Sequence, residues 1–304
     1  MAAAQVTDYA IVAPKHMPAE PYPHGLKSIG GATLADVLGR LGETVAVGPL
    51  PGSGSAFVKP ASVFYELDGK RRRWDVMDAH ASVGVVLYHR DLDAFLIVRQ
   101  FRPAVFATRA RDAAEGRGAA PQGAAAAAAA ASAPPSPPPP SPGPPLHAGF
   151  TYELCAGLCD KAGKPPEEVA AEEVLEECGF AISSAAVRKI TSAVSSAGTA
   201  GALHTLFFAA VTDAMRAQGG GGGLADTGEA IEILALPFDA APALVLDASL
   251  PMSPGLQFGL IWARGELDAG RLGGRSAPRE VGGGGDDGGG LLTAELRLKP
   301  VLPA

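Results

Sequence analysis

The sequence predicts an α+β fold, in which a small antiparallel sheet precedes a larger one and helices are appended rather than regularly interleaved. Three observations predict it. Apolar, β-branched runs come in close pairs, Ser62–Leu67 with Lys70–Met77 and Ser82–Tyr88 with Ala94–Phe101. One strongly acidic segment, Pro165–Cys178, has helical spacing and helical punctuation at both ends. A second amphipathic segment, Ser253–Leu267, opens on a capping serine followed by proline.

Residues 1–55 are rich in Gly, Pro and Ala and are expected as an extension of uncertain structure, with a short helix at Thr33–Leu41. From residue 56 the pattern is β-like. Asp68–Gly69 is a two-residue hairpin signal, because both turn positions need positive φ. The pair that follows is joined by a polar turn at His89–Asp93, and Pro103 forbids continuation of the second strand's ladder. Residues 108–147 break the rhythm: eight alanines from Ala124 to Ala131 give way to PPSPPPPSPGPP, a solvated insertion favouring extended polyproline geometry. Phe150–Leu154 re-enters as a strand and leads into a loop at Ala156–Gly163.

The acidic helix is next. Pro165 and Pro166 suit a first turn, Glu167 and Glu168 meet the positive end of the helix dipole, and Gly179 is a C-terminal stop. At about 100° per residue, Ala170, Val174, Leu175 and Cys178 fall on one side, with Glu172, Glu173, Glu176 and Glu177 on the other. Like charges at i,i+4 destabilise a helix, and no lysine or arginine interleaves with these carboxylates. A hard divalent cation such as Mg²⁺ or Mn²⁺ would relieve the repulsion.

Val187–Val194 and Leu203–Val211 then pair as strands around a loop at Ser195–Ala202. His204, alone on an apolar strand, carries no motif and stays unassigned. Gly219–Gly223 marks a flexible loop before the strand-like Asp226–Leu236. Residues 269–304 are too Gly-rich to support a core, although LLTAELRLKP could close as a short strand.

The 304 residues carry a formal charge of −7, against a general nucleic-acid surface. Three cysteines, Cys155, Cys159 and Cys178, lack zinc-ligand spacing and are expected as reduced thiols in a cytoplasmic protein, with a plastid address the other possibility. No apolar run approaches the length of a membrane span.

With Gly157, Glu173, Glu176, Glu177 and Gly179, the acidic segment resembles the Nudix box, G-x5-E-x7-R-E-U-x-E-E-x-G-U. Glu172 stands where the box has arginine, the early box glutamate is replaced around Gly163–Lys164, and the spacing from Gly157 to Glu173 is one residue longer. Val98–Val105, VRQFRPAV, resembles the Q-F-R segment of the Nudix branch that splits nucleoside-diphosphate sugars. TYELCAGL, WDVM and QFRPAVF are most similar to the UDP-glucose pyrophosphatases of animals.

That resemblance implies an α/β/α sandwich with a mixed sheet over residues 56–268. It also implies Mg²⁺-dependent hydrolysis of UDP-glucose to UMP and glucose 1-phosphate, with ADP-ribose as the next substrate. It assigns Glu173, Glu176, Glu177 and the Ala156 carbonyl to metal, Glu176 being catalytic as well. Arg102, with Arg99 second, grips the diphosphate; Trp74 stacks on the base; and Glu229, with Glu232 as fallback, positions the attacking water. Members of the branch are homodimers whose N-terminal sheet reaches the partner's site. Glu172 leaves an alternative open, a module that binds sugar nucleotides as a sensor without turning them over.

Overall fold

The computed structural model describes residues 9–50, 54–55, 58–115, 141–224, 226 and 228–273. Its elements are β1 (Tyr9–Val12), β2 (Lys27–Gly31), α1 (Leu34–Arg40), β3 (Thr44–Val47), β4 (Lys59–Leu67), β5 (Lys70–Asp78), β6 (Ser82–His89), β7 (Ala94–Phe101) and α2 (Pro103–Ala114). After the proline-rich segment come β8 (Ser141–Pro142), β9 (Phe150–Glu153), β10 (Cys155–Leu158), α3 (Pro166–Cys178), β11 (Arg188–Ser196), β12 (Ala200–Val211), β13 (Ile231–Pro237), α4 (Ala241–Leu246) and α5 (Pro254–Asp268).

The main sheet is mixed. Its path runs β11-β12-β6-β7-β13-β2, with β10 on β6 and β9 on β7. Only β12 and β6 among these pairs run parallel. Both faces are covered, which is why β6 and β7 read as continuous apolar runs rather than alternating ones. Val86, Tyr88, Phe95 and Ile97 point into one core, closed by α4 and α5 through Leu244, Leu256 and Leu260. Val83, Val85, Leu87, Leu96 and Val98 point into the other, against Val169, Ala170, Val174 and Cys178 of α3. Each such side chain contributes about 1.5–3 kcal/mol by leaving water. This is the expected sandwich.

The hairpin also forms as expected. Asp68 and Gly69 take φ of 54° and 68°, joining β4 and β5 in a separate two-stranded sheet. Every residue of β4 is exposed. The hairpin reaches the body through the tip of the β11–β12 hairpin, where Met77 N–H bonds to Thr199 O at 2.7 Å and Trp74 Nε1–H to Gly198 O at 2.8 Å.

Elsewhere the structure differs from the sequence reading. Residues 9–50 are no loose extension. β2 is an edge strand of the main sheet on β13, and Leu26 lies in its core. Thr33 caps α1 with a reciprocal capping box to Asp36. The strand stops before Pro103 as anticipated, at Phe101, but Pro103 then opens a helix that runs to Ala114 with Arg102 as its N-cap, because proline at the first helical position costs no hydrogen bond. The insertion is therefore shorter at its N-terminal side than 108–147. Residues 116–140, with the alanine run and most of the prolines, and residues 274–304, with the closing strand, lie outside the described residues. Strands β11 and β12 run to Ser196 and from Ala200, leaving a tight turn instead of a long loop at 195–202.

Candidate active site

The acidic helix is held as its sequence suggests. Pro166 is its first residue, Glu167 and Glu168 lie in its first turn, and Gly179 ends it in the left-handed region at φ 75°. One assignment on the helix is corrected. Glu177 lies on the buried face with Ala170, Val174 and Cys178 and is 5% exposed, whereas Leu175 faces outward at 38%. The 3.6-residue period explains this, since Glu177 is two turns from Ala170 and one from Val174.

Glu177 turns toward β10, where one carboxylate oxygen accepts the Ala156 N–H at 2.9 Å. Glu173 crosses the next residue: a Cβ at Gly157 would come within 1.8 Å of its Oε1. The box glycine thus makes room for a box carboxylate. Burial, then the neighbouring charge of Glu176, raises Glu173 to about 7. Burial raises Glu177 to about 8, against the pull of the Ala156 N–H and with a further push from Glu173. Glu229 adds to both shifts, so the loop before β13 lies close to the helix.

That loop is docked rather than loose. Gly222 and Gly223 N–H bond to the carbonyls of Glu177 and Glu176 at 2.9 and 3.1 Å, capping the end of α3. Both glycines have positive φ, which the approach requires. Glu229 itself is exposed, with Oε2 accepting Leu224 N–H at 2.9 Å.

Arg102, at the start of α2, lies within electrostatic reach of Glu177 and Glu229. Its Nε and Nη2 grip Glu153 at 2.7 and 2.6 Å. Burial pushes Glu153 upward, but Arg102 holds it below the usual carboxylate range. Two clefts flank this ion pair. A cleft of about 430 Å³ is lined by Arg40, Gln100, Arg102 and Glu229, and one of about 570 Å³ by Glu153, Ala156, Ser195, His204 and Phe258. Arg40 carried no motif, and Glu153, although inside the TYELCAGL run, was given no role from sequence. His204 now has a setting: Ser82 Oγ is 2.8 Å from Nδ1, and a Cβ at Gly84 would come within 2.9 Å of Nε2.

Two candidates fall away. Arg99 is 2% exposed and committed to Glu232, itself 1% exposed, with Nε–Oε2 at 2.9 Å. Tyr22 and the Leu34 N–H complete the pair by donating to Glu232 at 2.9 and 3.1 Å. Both residues hold the N-terminal segment on the sheet, which leaves neither Arg99 for a diphosphate nor Glu232 for a water. Trp74, 54% exposed on the hairpin, lines neither cleft of its own chain.

Glu172, the residue at odds with the box, is neutralised. Lys164 Nζ lies 2.5 and 2.6 Å from its two oxygens and Lys161 Nζ 3.4 Å from one. Lys164 and Glu172 keep the x7 spacing of the box glutamate and arginine, so the two signs are exchanged and an ion pair remains. The lysines are thereby taken by Glu172 rather than by Glu173, Glu176 or Glu177. The remaining oxygen-rich, mutually repelling set fits a hard divalent cation.

No family model matches the chain. It is 38% identical over 220 residues to the uridine diphosphate glucose pyrophosphatase NUDT14 of Bos taurus, covering 72% of this chain and 93% of that protein. Against the Mus musculus protein of the same description the identity is 33%, over 68% and 88%. A GDP-mannose pyrophosphatase of Klebsiella pneumoniae is 29% identical over 61% of this chain and 75% of its own length.

Proposed function

The chain belongs to the Nudix hydrolases, in the branch of sugar-nucleotide pyrophosphatases, and from that premise we propose that it hydrolyses UDP-glucose to UMP and glucose 1-phosphate. One observation carries the reading: Glu229 lies close enough to push up both Glu173 and Glu177, Glu173 pushes up Glu177 as well, and Arg102 is within reach of the charges of Glu177 and Glu229. Such a group of carboxylates beside one guanidinium suits a diphosphate bridged to cations. Two clefts meeting at Arg102–Glu153 provide separate room for the nucleoside and the sugar.

Glu173, Glu176, Glu177 and the Ala156 carbonyl would hold Mg²⁺, with Mn²⁺ as its substitute, and the ion would neutralise diphosphate charge and acidify water. Arg102 has half its side chain in solvent and can exchange an oxygen of Glu153 for one of the diphosphate, which orients the scissile bridge. Glu229, on its glycine-backed loop, accepts the proton of the attacking water and aims it at phosphorus. Glu176 serves both as ligand and as part of this catalytic face.

The homologues support two sugar nucleotides, UDP-glucose and GDP-mannose. We place UDP-glucose first because its relatives align over more of the chain at higher identity, and ADP-ribose after both. A sensor without turnover loses its main motive, since Lys164 neutralises Glu172. The protein acts in the cytoplasm as a homodimer, in which the exposed β4–β5 hairpin brings Trp74 to the partner's cleft. The three free thiols and the bare apolar side chains of that hairpin support this.

The test is phosphomonoester release from UDP-glucose, GDP-mannose and ADP-ribose with Mg²⁺, beside Glu176→Gln/Glu177→Gln. UDP-glucose should be turned over fastest, and the double variant should lose about 100-fold or more in kcat, beyond what loss of a supporting contact costs. Undiminished turnover by the double variant would refute the metal assignment. Faster turnover of GDP-mannose or ADP-ribose would refute the substrate order.

A further inference from the structure

We propose that His89, Asp91 and Asp213 form a second metal site, separate from the acidic helix and suited to a borderline divalent ion such as Zn²⁺. Among the described residues they form a set whose ligand atoms all lie within 4.8 Å of one another. The site occupies the far end of the sheet. His89 closes β6, seven residues beyond Ser82, which pairs with Leu158 in the box loop. At about 3.3 Å per residue the two ends are roughly 20 Å apart. His89 pairs with Val211 across the parallel β12–β6 ladder, so Asp213 follows the neighbouring strand out of the sheet.

The histidine is what turns two acids into a site. Its side chain is fully buried, and neither Nδ1 nor Nε2 has a hydrogen-bond partner. A buried polar group of this kind is normally satisfied, so a buried imidazole without an aligned hydrogen bond, facing a carboxylate, leaves a place for an ion. Nε2 lies 3.3 Å from Asp213 Oδ1, at ion-pair range without hydrogen-bond alignment. The ring packs edge-on against Phe180 at 5.4 Å between centroids, which fixes its plane.

The carboxylates are set as well. Asp91 Oδ2 accepts the Asp213 N–H at 2.8 Å, leaving its other oxygen for an ion. Asp213 is 67% exposed, so water can complete the coordination sphere. Arg216, stacked on Phe180 at 4.9 Å, is the nearby opposing charge, and two carboxylates outweigh it. Burial lowers the pKa of His89 and so keeps the imidazole neutral, the form that ligates. One imidazole with two carboxylates favours zinc over the harder ions suited to the all-oxygen helix site.

An ion there would pin the ends of β6 and β12 together. Equilibrium dialysis of full-length Glu173→Gln/Glu176→Gln/Glu177→Gln against ⁶⁵Zn²⁺ isolates this site from the box. That chain should retain one zinc, and adding Asp91→Asn/Asp213→Asn should weaken binding at least about 10-fold. The two aspartates are not core residues, so this variant remains folded where His89→Gln would risk the core; circular dichroism checks it. Absence of stoichiometric zinc from the first chain, or unchanged zinc in the second, overturns the proposal. Neither result depends on which nucleotide the enzyme cleaves.

Discussion

Lys164 and Glu172 show how a chain can depart from a motif at two positions and keep its physics. A lysine stands eight residues before an acid where the box has an acid eight residues before an arginine, and the two make a close ion pair. Reversing Lys164 alone would set a fourth carboxylate among Glu172, Glu173 and Glu176. Lys164→Glu should therefore weaken the apparent Mg²⁺ affinity in turnover by about 10-fold, as loss of a supporting contact does. Lys164→Glu/Glu172→Arg should recover most of it; if the double variant is as weak as the single, the exchange is coincidental. Glu173 and Glu177 make a prediction about pH. Their folded pKa values of about 7 and about 8 stand above the ordinary 4.5, so the folded chain binds more protons than the unfolded chain in between. The stability these two groups contribute without added cation is then full below about pH 4.5 and is lost as pH rises toward 8. Mg²⁺ competes with those protons, so the stabilisation it confers should grow over the same interval. Thermal melts from pH 5 to 8.5 with and without Mg²⁺ measure both slopes, and Glu173→Gln/Glu177→Gln should flatten them.

Elements were legible where the signal is local and hidden where it is not. The β4–β5 turn, the Pro166 start and Gly179 stop of α3 and the Ser253 cap of α5 each follow from a few neighbouring residues, and each formed. The β2 strand, KSIGG, has neither β-branched density nor alternation; it is a strand because β13 pairs with it. The inward turn of Glu177 was hidden for a different reason: acidity suggested the solvent side, and geometry overruled it. Arg102 was found through the QFR segment, while its pairing with Glu153, 51 residues on, had no local mark. Arg99 and Glu232 are a harder case, 133 residues apart and indistinguishable in sequence from substrate-facing groups. Their role as a clamp on the N-terminal segment is testable. Arg99→Met leaves a buried carboxylate without its cation and should cost about 3–5 kcal/mol, whereas removing both charges in Arg99→Met/Glu232→Leu should cost less. Urea unfolding measures the two. Equal losses would mean that the charges do not act as a pair.

At the scale of the molecule, the β4–β5 hairpin is the part that does not close on itself. A lone two-stranded sheet is marginal in water, and this one touches the body at the β11–β12 tip. Across its register Val63 faces Trp74 and Tyr65 faces Arg72, so Val63, Tyr65, Leu67 and Trp74 share one side. These four are between 44% and 54% exposed, a concentration of apolar surface that calls for a cover. In the proposed homodimer a second copy supplies the cover, and the same contact delivers Trp74 to the other chain's cleft. Stability and substrate binding should then fail together. Val63→Glu/Tyr65→Glu places charge on the shared side without touching Trp74, Arg102 or the acidic helix. Light scattering should show the wild-type dimer reduced to monomers, and KM for UDP-glucose should rise with it while the Mg²⁺ requirement persists. Trp74→Ala should leave more of the dimer intact than the charged variant yet raise KM, because stacking on a base is worth about 1–3 kcal/mol. A wild-type monomer, or a charged variant that stays dimeric with unaltered KM, would remove the hairpin from both roles.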